Sequence, residues 1–461
     1  MSATLSADGP ALPARPGPPP LPPLLDPRIE RVIRDAPAGL RGLVARYGSP
    51  LNIVWPHTVA GNVERMRSAL AAQGVDHAIF YGAKANKSRA LTRAAVAAGV
   101  GVDVSSPAEF EDAVRAGAGA DRLCATGPAK TVPFLRQLVE AGALIAVDSL
   151  EELDDLATVL GPTGRARVLL RYRPGSAGRT RFGMGADAVR QGLRRLARSG
   201  ARLAFEGFHL HLPGYGFASR ALAIEEVAAL VEVAAGLGLS ARLIDIGGGL
   251  PVRYVEPDLY ARHLAALGPA DFSTGRVPAD FYPYGSALTA ADWLTRLLQA
   301  PCRGTTVAGY VRSAGLQLAL EPGRSLVDQA AISLFRVIRT KPVGDGTATV
   351  FVEGSSFSAC ETWFASEFLV DPILVPAAPR DPDPAPLRAS IAGHSCLDGD
   401  VVSHRLLAFA SAPQAGDLLI YANTAGYQMD LLENEFHRHP MPARLVAGPA
   451  PDGAFIFVQD T

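Results

Sequence analysis

The sequence predicts an α/β protein in which a (β/α)8, TIM-like barrel is followed by a C-terminal all-β domain. Three observations lead there. Eight apolar, strand-like runs, most of them separated by an amphipathic helical stretch, fill the middle of the 461-residue chain, and that alternation is the pattern of a parallel barrel. The polar and glycine residues of those runs collect at their carboxyl ends, where such barrels keep their chemistry. After Arg324 the long helices cease and strand-like runs follow one another.

The first barrel run, HAIFYGAKANKS (His77–Ser88), passes from β-formers into Lys84 and then into a helical pattern. The others are Val100–Val104 with Asp103, Asp121–Gly127, Leu144–Ser149 with Asp148, and Arg167–Pro174 with Arg171. Gly207–Leu212 with His211, Arg242–Gly249 and Leu316–Arg324 complete the set. Between them, stretches such as PAEFEDAVRAGA and AIEEVAALVEVAAGLG carry apolar residues at helical spacing. The barrel is expected over residues 58–325. Residues 28–57, a short helical pattern and an extended run, are grouped with residues 326–461 as the β domain. Residues 1–27 are rich in proline and are expected to form a disordered or polyproline arm. The long connection over 250–315 reads as an elaboration near the barrel mouth, such as a lid.

Composition narrows the class of function. Hydrophobic residues at 48% and charged residues at 19% supply ample core for two domains. A formal net charge of −1 gives no electrostatic reason to expect nucleic acid or an anionic membrane. Cys124, Cys302, Cys360 and Cys396 form no CxxC pair, which fits a reducing cytoplasm rather than a disulfide framework or a cysteine-rich zinc site. No apolar run reaches the ~20 residues of a membrane helix, and the amino terminus shows no secretory pattern. A small-molecule enzyme of the cytoplasm is expected.

Lys84 carries the strongest chemical signal. Burial at a strand end is expected to lower an amine's pKa and favour a Schiff base with an aldehyde cofactor. A lone lysine there more often snorkels into solvent, but other residues point the same way. Gly247, Gly248 and Gly249 form a triplet that suits either close approach of a phosphate or a tight turn. Glu321-Pro322-Gly323-Arg324 brings an acid and an arginine to the same rim, the arginine suited to phosphate and the acid to a cationic ring nitrogen. His209 and His211 share one strand face. Their spacing could serve a metal, but no third histidine or cysteine supports one and none is expected.

Together the motifs YGAKANK, GFHLH, IDIGGG, EPGR, SCLDGD and TAGY, in that order, resemble the pyridoxal-phosphate-dependent decarboxylases of the alanine-racemase-like fold. These fold type III enzymes include diaminopimelate, ornithine and arginine decarboxylases. The resemblance covers nearly all of the chain after Asp26. It implies pyridoxal 5'-phosphate held as a Schiff base by Lys84, with His211 stacked on the ring and Glu321 on the pyridine nitrogen. It implies phosphate binding by Gly247, Gly248, Gly249, Gly323, Arg324 and Tyr427, with Asp103 and Arg171 as further polar residues on the cofactor. It also implies a homodimer with shared active sites, in which Cys396 of the second subunit donates a proton. An acid against the pyridine nitrogen lets the ring accept the electron pair left at Cα, which favours decarboxylation over racemisation.

The substrate end departs from the family. The acidic residue that follows the family's cysteine is Leu397 here, with Asp398 displaced by one. The Arg-Pro-x-Leu-Tyr run of the diaminopimelate enzymes is replaced by SSFSACETWFASE (Ser355–Glu367), and Gly-Ser after the stacking histidine by Pro213-Gly214-Tyr215. Leu397, Asp400 and Trp363 are the candidate substrate contacts. The pattern resembles divergent relatives of secondary-metabolite pathways, and the amino acid itself is left open. So are a racemase or carbon–carbon lyase of the same fold and a catalytically silent binding protein.

Overall fold

The computed structural model describes residues 17–461 except 162–163, 359–360, 382, 384–385, 433–434 and 451–453. Two helices, Pro27–Asp35 and Pro37–Tyr47, lead into strand β1 (Leu51–Val54). The first begins at Asp26, whose carboxylate accepts from the Arg28 amide at 2.8 Å, with Pro27 in the first turn where its missing N–H costs nothing.

A closed parallel barrel follows. Its strands are β2 (His77–Gly82), β3 (Gly101–Val104), β4 (Leu123–Ala125), β5 (Leu144–Val147), β6 (Ala166–Arg171), β7 (Leu203–His209) and β8 (Leu243–Asp245). After the two-residue strands β9 (Pro301–Cys302) and β10 (Thr305–Thr306), β11 (Gln317–Leu320) pairs with both β8 and β2 and closes the ring. Helices cover the outer face, so strands such as β3 and β5 are buried throughout and read as continuous apolar runs. Serines end several strand-to-helix turns. Ser88, Ser106 and Ser149 each accept an amide from the first turn of the following helix, at 3.1–3.2 Å.

The β domain is one nine-stranded sheet built from β1 and from β12 (Ala331–Gly344), β13 (Thr347–Glu353), β14 (Ile373–Val375), β15 (Leu387–Ala392), β16 (Val401–Phe409), β17 (Leu418–Ala422), β18 (Ala443–Pro449) and β19 (Phe455–Gln459). The order is β16-β15-β13-β12-β1-β18-β19, with β17 joining β12 to β14. β1 lies between β12 and β18, so the segment that precedes the barrel completes the C-terminal sheet.

Two expectations change. The disordered arm expected over 1–27 is corrected from residue 17 onward; residues 1–16 lie outside the described residues. Leu21 is fully buried, its amide donates to Asp371 Oδ2 at 2.7 Å, and the Leu24 amide donates to the Tyr254 carbonyl at 2.7 Å. Composition reports the prolines but not these tertiary partners. The 250–315 connection is not an open lid. Val252, Tyr254, Tyr260 and Tyr284 from it join Phe335, Phe368 and Tyr421 of the β domain in one buried cluster, wedging the two domains together.

Candidate active site

Lys84 lies in a single turn, Ala83–Ala85, directly after β2. Its Nζ stands 3.7 Å from Asp103 Oδ2 on β3. Asp103 is buried, and its Oδ1 accepts the Thr126 hydroxyl at 2.7 Å. Burial pulls the Lys84 amine down, but the carboxylates of Asp103 and Glu321 outweigh it and the net shift is upward. The lowered pKa expected from burial alone is therefore corrected: the free amine is a charged ammonium. Asp103 is itself pushed up to about 7, first by burial and then by Glu321. Lys84 and Asp103 form an ion pair, and Glu321 adds a second attraction for the ammonium.

Glu321 follows β11 and is 2% exposed. His209 Nε2 lies 3.1 Å from its Oε1. Asp245, at the end of β8, is fully buried, and its Oδ1 accepts the Gly247 amide at 2.8 Å. Burial raises the pKa of both carboxyls, and Glu321 raises that of Asp245 further. Burial holds His209 and His211 well below the ordinary imidazole range, so both rings are neutral. His211 Nδ1 accepts the Gly248 amide at 3.2 Å, which locks the ring against the glycine loop. Arg171 is buried, pairs with Asp148 at 3.1 Å and stacks on Phe182.

The glycine triplet has a nearer cause than a phosphate. A Cβ on Gly247 would lie 2.4 Å from His211 Nδ1, one on Gly248 2.6 Å from the Glu321 carbonyl, and one on Gly249 2.2 Å from Arg220 Nη2. Protein atoms crowd the loop from behind, and any side chain there would displace the histidine, the arginine or the β11 loop. Arg220 is 0% exposed. Its Nη2 donates to the carbonyls of Leu212, Gly214 and Gly248 at 2.7, 3.0 and 3.1 Å, and its Nη1 to Gly216 at 3.2 Å. It has no carboxylate partner among the described residues, and burial brings its pKa down to about 10, still a cation at neutral pH.

Tyr427 comes from the β domain of the same chain. Its amide donates to the Ala85 carbonyl at 2.8 Å, one residue from Lys84. A Cβ on Gly323 would meet its hydroxyl at 3.1 Å. The Arg324 guanidinium lies 3.7 Å from the ring centroid of Tyr282 and 4.8 Å from that of Tyr427. Arg324 Nε is buried without a hydrogen-bond partner, and no carboxylate among the described residues pairs with the side chain. A guanidinium walled by tyrosines and short of acceptors is built to receive an anion.

The family model for the pyridoxal-dependent decarboxylase, pyridoxal binding domain, matches residues 57–267. The chain is 55% identical over 419 residues to the uncharacterized protein y4yA of Sinorhizobium fredii, covering 90% of this chain and 92% of that one. It is 28% identical to the diaminopimelate decarboxylase of Actinosynnema pretiosum, covering 85% and 82%. This chain belongs to the pyridoxal-dependent decarboxylases. Its fold is that of the diaminopimelate decarboxylase of M. jannaschii, solved with L-lysine, with a TM-score of 0.70 at 19% identity over 91% of each chain. The arginine decarboxylase of Paramecium bursaria Chlorella virus superposes with a TM-score of 0.69 at 17% identity, over 89% of this chain and 99% of that one. The family's cofactor is pyridoxal phosphate, and the residues fit it: a lysine at the barrel mouth beside an acid that can take its proton, a neutral imidazole fixed in orientation, and a guanidinium that lacks an acceptor.

The residues predicted from the sequence do not all converge. Lys84, Arg171, His211 and Glu321 line one cavity of about 630 Å3. Cys396, Leu397, Asp400 and Trp363 do not line it. Cys396 is exposed on a turn of the β domain, its amide 3.3 Å from His437 Nε2. Asp400 is corrected as a substrate contact. Its two oxygens accept the amide and hydroxyl of Ser356 and of Ser395, at 2.5–3.0 Å, and it pins the turn that carries Cys396. Trp363 stacks on Phe357 at 4.4 Å and donates to Ser356 Oγ at 3.0 Å.

The sequence reading missed Asp245, Arg220 and the His209–Glu321 contact. Asp245 had a signal, an acid ending a buried strand immediately before three glycines. Arg220 had a fainter one, the single basic residue of the apolar helix Phe217–Gly236.

Proposed function

We propose that this protein removes the α-carboxyl of an amino acid as carbon dioxide, with pyridoxal phosphate linked to Lys84. The observation that carries the reading is the joint placement of Lys84, His211 and Glu321 in one cavity of the barrel mouth. When bound, the cofactor supplies a ring that takes up the electron pair released at the substrate's Cα. The other roles belong to this chain. Asp103, 3.7 Å from the ammonium, takes the proton that Lys84 must lose before its Nζ attacks an aldehyde. The neutral His211 ring, held by the Gly248 amide, presents a flat face to the cofactor. Glu321, flanked by His209 and Asp245, offers an acid to the pyridine nitrogen. Arg324, Tyr427 and the Gly247–Gly249 loop hold the phosphate.

The remaining requirement is a proton donor to the carbon that has lost its carboxyl, and we assign it to Cys396 of a second copy. Two features support this. Cys396 is exposed and lies outside its own chain's cavity. Trp363, Phe364, Phe436 and Met441, on the segments beside the Cys396 turn, are 45–62% exposed, an apolar face suited to burial in a two-fold interface. The unpaired thiols of Cys124, Cys302 and Cys396 favour the cytoplasm as its compartment. No helix among the described residues is long and apolar enough to cross a membrane.

The test mixes two inactive variants, Lys84→Ala and Cys396→Ala, under conditions of subunit exchange. A mixed dimer contains one intact site, so carbon dioxide release should recover to about a quarter of wild type by random pairing at a symmetric interface. No recovery, or a fully active monomer, refutes the shared site. Borohydride labelling at any residue other than Lys84 refutes the lysine assignment.

A further inference from the structure

The cavity that holds Lys84 also extends over the loop that follows β6, and the charges there do not balance. Three of its lining cations are matched one-to-one by acids: Lys84 by Asp103, Arg171 by Asp148, and Lys130 by Glu152. Three more line the same cavity from one short loop. Arg173, Arg179 and Arg181 are exposed, and none has an ion-pair partner among the described residues. The one carboxylate lining the cavity, Glu321, is buried and occupied by His209. A cleft walled by unmatched charge of one sign concentrates the opposite charge in its ligand.

The loop is held at its base rather than loose. Tyr172 and Met184 form a β-bridge, the Arg173 amide donates to the Met184 carbonyl at 2.8 Å, and the Met184 amide donates to Arg171 at 2.9 Å. Asp148, the partner of Arg171, also accepts the Gly183 amide at 2.7 Å. The Tyr172 hydroxyl and the Gly175 amide both donate to Glu226, at 2.6 and 3.0 Å. The guanidinium groups of Arg171 and Arg181 both stack on the Phe182 ring, at 4.6 and 4.8 Å from its centroid. A closed neck thus carries the three arginines over the cavity, and Phe182 links Arg181 to the floor where Arg171 lies.

We propose that the loop from Arg173 to Arg181 is a subsite for a distal anion of the substrate, so that the amino acid taken by this protein has an acidic side chain. The inference rests on the reading of this cavity as the catalytic site. It makes Arg179 and Arg181 specificity residues, acting at the far end of the side chain from the α-carboxyl that leaves. Planar guanidinium groups suit a carboxylate or a phosphate equally, and the probes below use the carboxylate.

The experiment titrates the pyridoxal-phosphate-loaded protein with three α-amino acids of one chain length, 2-aminoadipate, norleucine and lysine, each as both enantiomers. It follows the visible band of the lysine-bound cofactor. One enantiomer of 2-aminoadipate should half-saturate at a concentration at least about tenfold below norleucine, the scale of one hydrogen-bonded charge. In Arg179→Gln/Arg181→Gln that ratio should fall to within about twofold, and Arg179→Lys/Arg181→Lys should restore part of it. Tighter binding of lysine or norleucine, or a ratio unchanged by the glutamines, overturns the subsite. A preference for 2-aminoadipate without carbon dioxide release overturns decarboxylation and upholds the subsite. A protein that never acquires a Lys84-bound band overturns both.

Discussion

Replacing Arg220 by methionine separates two reasons for burying a cation. The side chain is 0% exposed and donates to four backbone carbonyls, of which the contacts to Leu212 and Gly248 are fully buried. Those two carbonyls would lose their donor, at about 1–3 kcal/mol each, or roughly 2–6 kcal/mol together. Against this, the cofactor-free protein would no longer desolvate a guanidinium without a counter-ion, a relief of several kcal/mol. The two terms nearly cancel, and the apo protein's unfolding free energy should change by no more than about 2 kcal/mol. The cofactor-bound state should differ, because in the proposed site a phosphate at the Gly247–Gly249 loop would bring negative charge close to Arg220, which lies against that loop. Loss of that charge attraction should weaken pyridoxal phosphate by about 1.5–3 kcal/mol, or roughly ten- to a hundredfold. The assay measures dissociation constants for pyridoxal phosphate and for pyridoxal, which lacks the phosphate, together with urea unfolding of the apo protein. Arg220→Met should weaken the first ligand and not the second. Equal loss for both ligands, or an apo protein destabilised by more than about 4 kcal/mol with unchanged affinity, would show Arg220 to be a structural clamp only.

Two further outcomes follow from the buried acids. Glu321→Gln should retain the cofactor and slow decarboxylation by about 100- to 1000-fold, the scale of one preorganised electrostatic contact; an unchanged single-turnover rate would leave Glu321 as a partner of His209 alone. Glu367, 1% exposed in the β domain, accepts the Ser403 hydroxyl and the His404 amide, and burial pushes its pKa up to about 7. A carboxyl whose folded pKa is raised costs nothing at low pH and destabilises progressively as pH climbs from about 4.5 to about 7, by up to roughly 3 kcal/mol. Urea unfolding at pH 5 and pH 8 should therefore show Glu367→Gln gaining stability relative to wild type as pH rises. A difference between the two proteins that is the same at both pH values would refute the shift.

The barrel and the position of Lys84 were legible in the sequence because they depend on local periodicity. Fully buried strands read as short apolar runs and helices repeat every 3.6 residues, and each change from one pattern to the other marks a strand end, so Lys84, His211 and Glu321 could be placed at the mouth from their neighbours alone. What each group does there was decided only in three dimensions. Lys84 is charged because Asp103, on the adjacent strand, lies 3.7 Å away. Asp400 is spent on Ser356 and Ser395 rather than on substrate. The proline-rich strap over residues 17–26 is ordered because Asp371 and Tyr254, hundreds of residues distant in sequence, accept its amides. Arg220 is unremarked in its helix until the fold closes the glycine loop over it. Charge state, hydrogen-bond satisfaction and desolvation are set by whatever lies within a few ångströms. Those neighbours come from the ring closure of β11 onto β2 and from the sheet that gathers β1 with β18, contacts that no run of adjacent residues records.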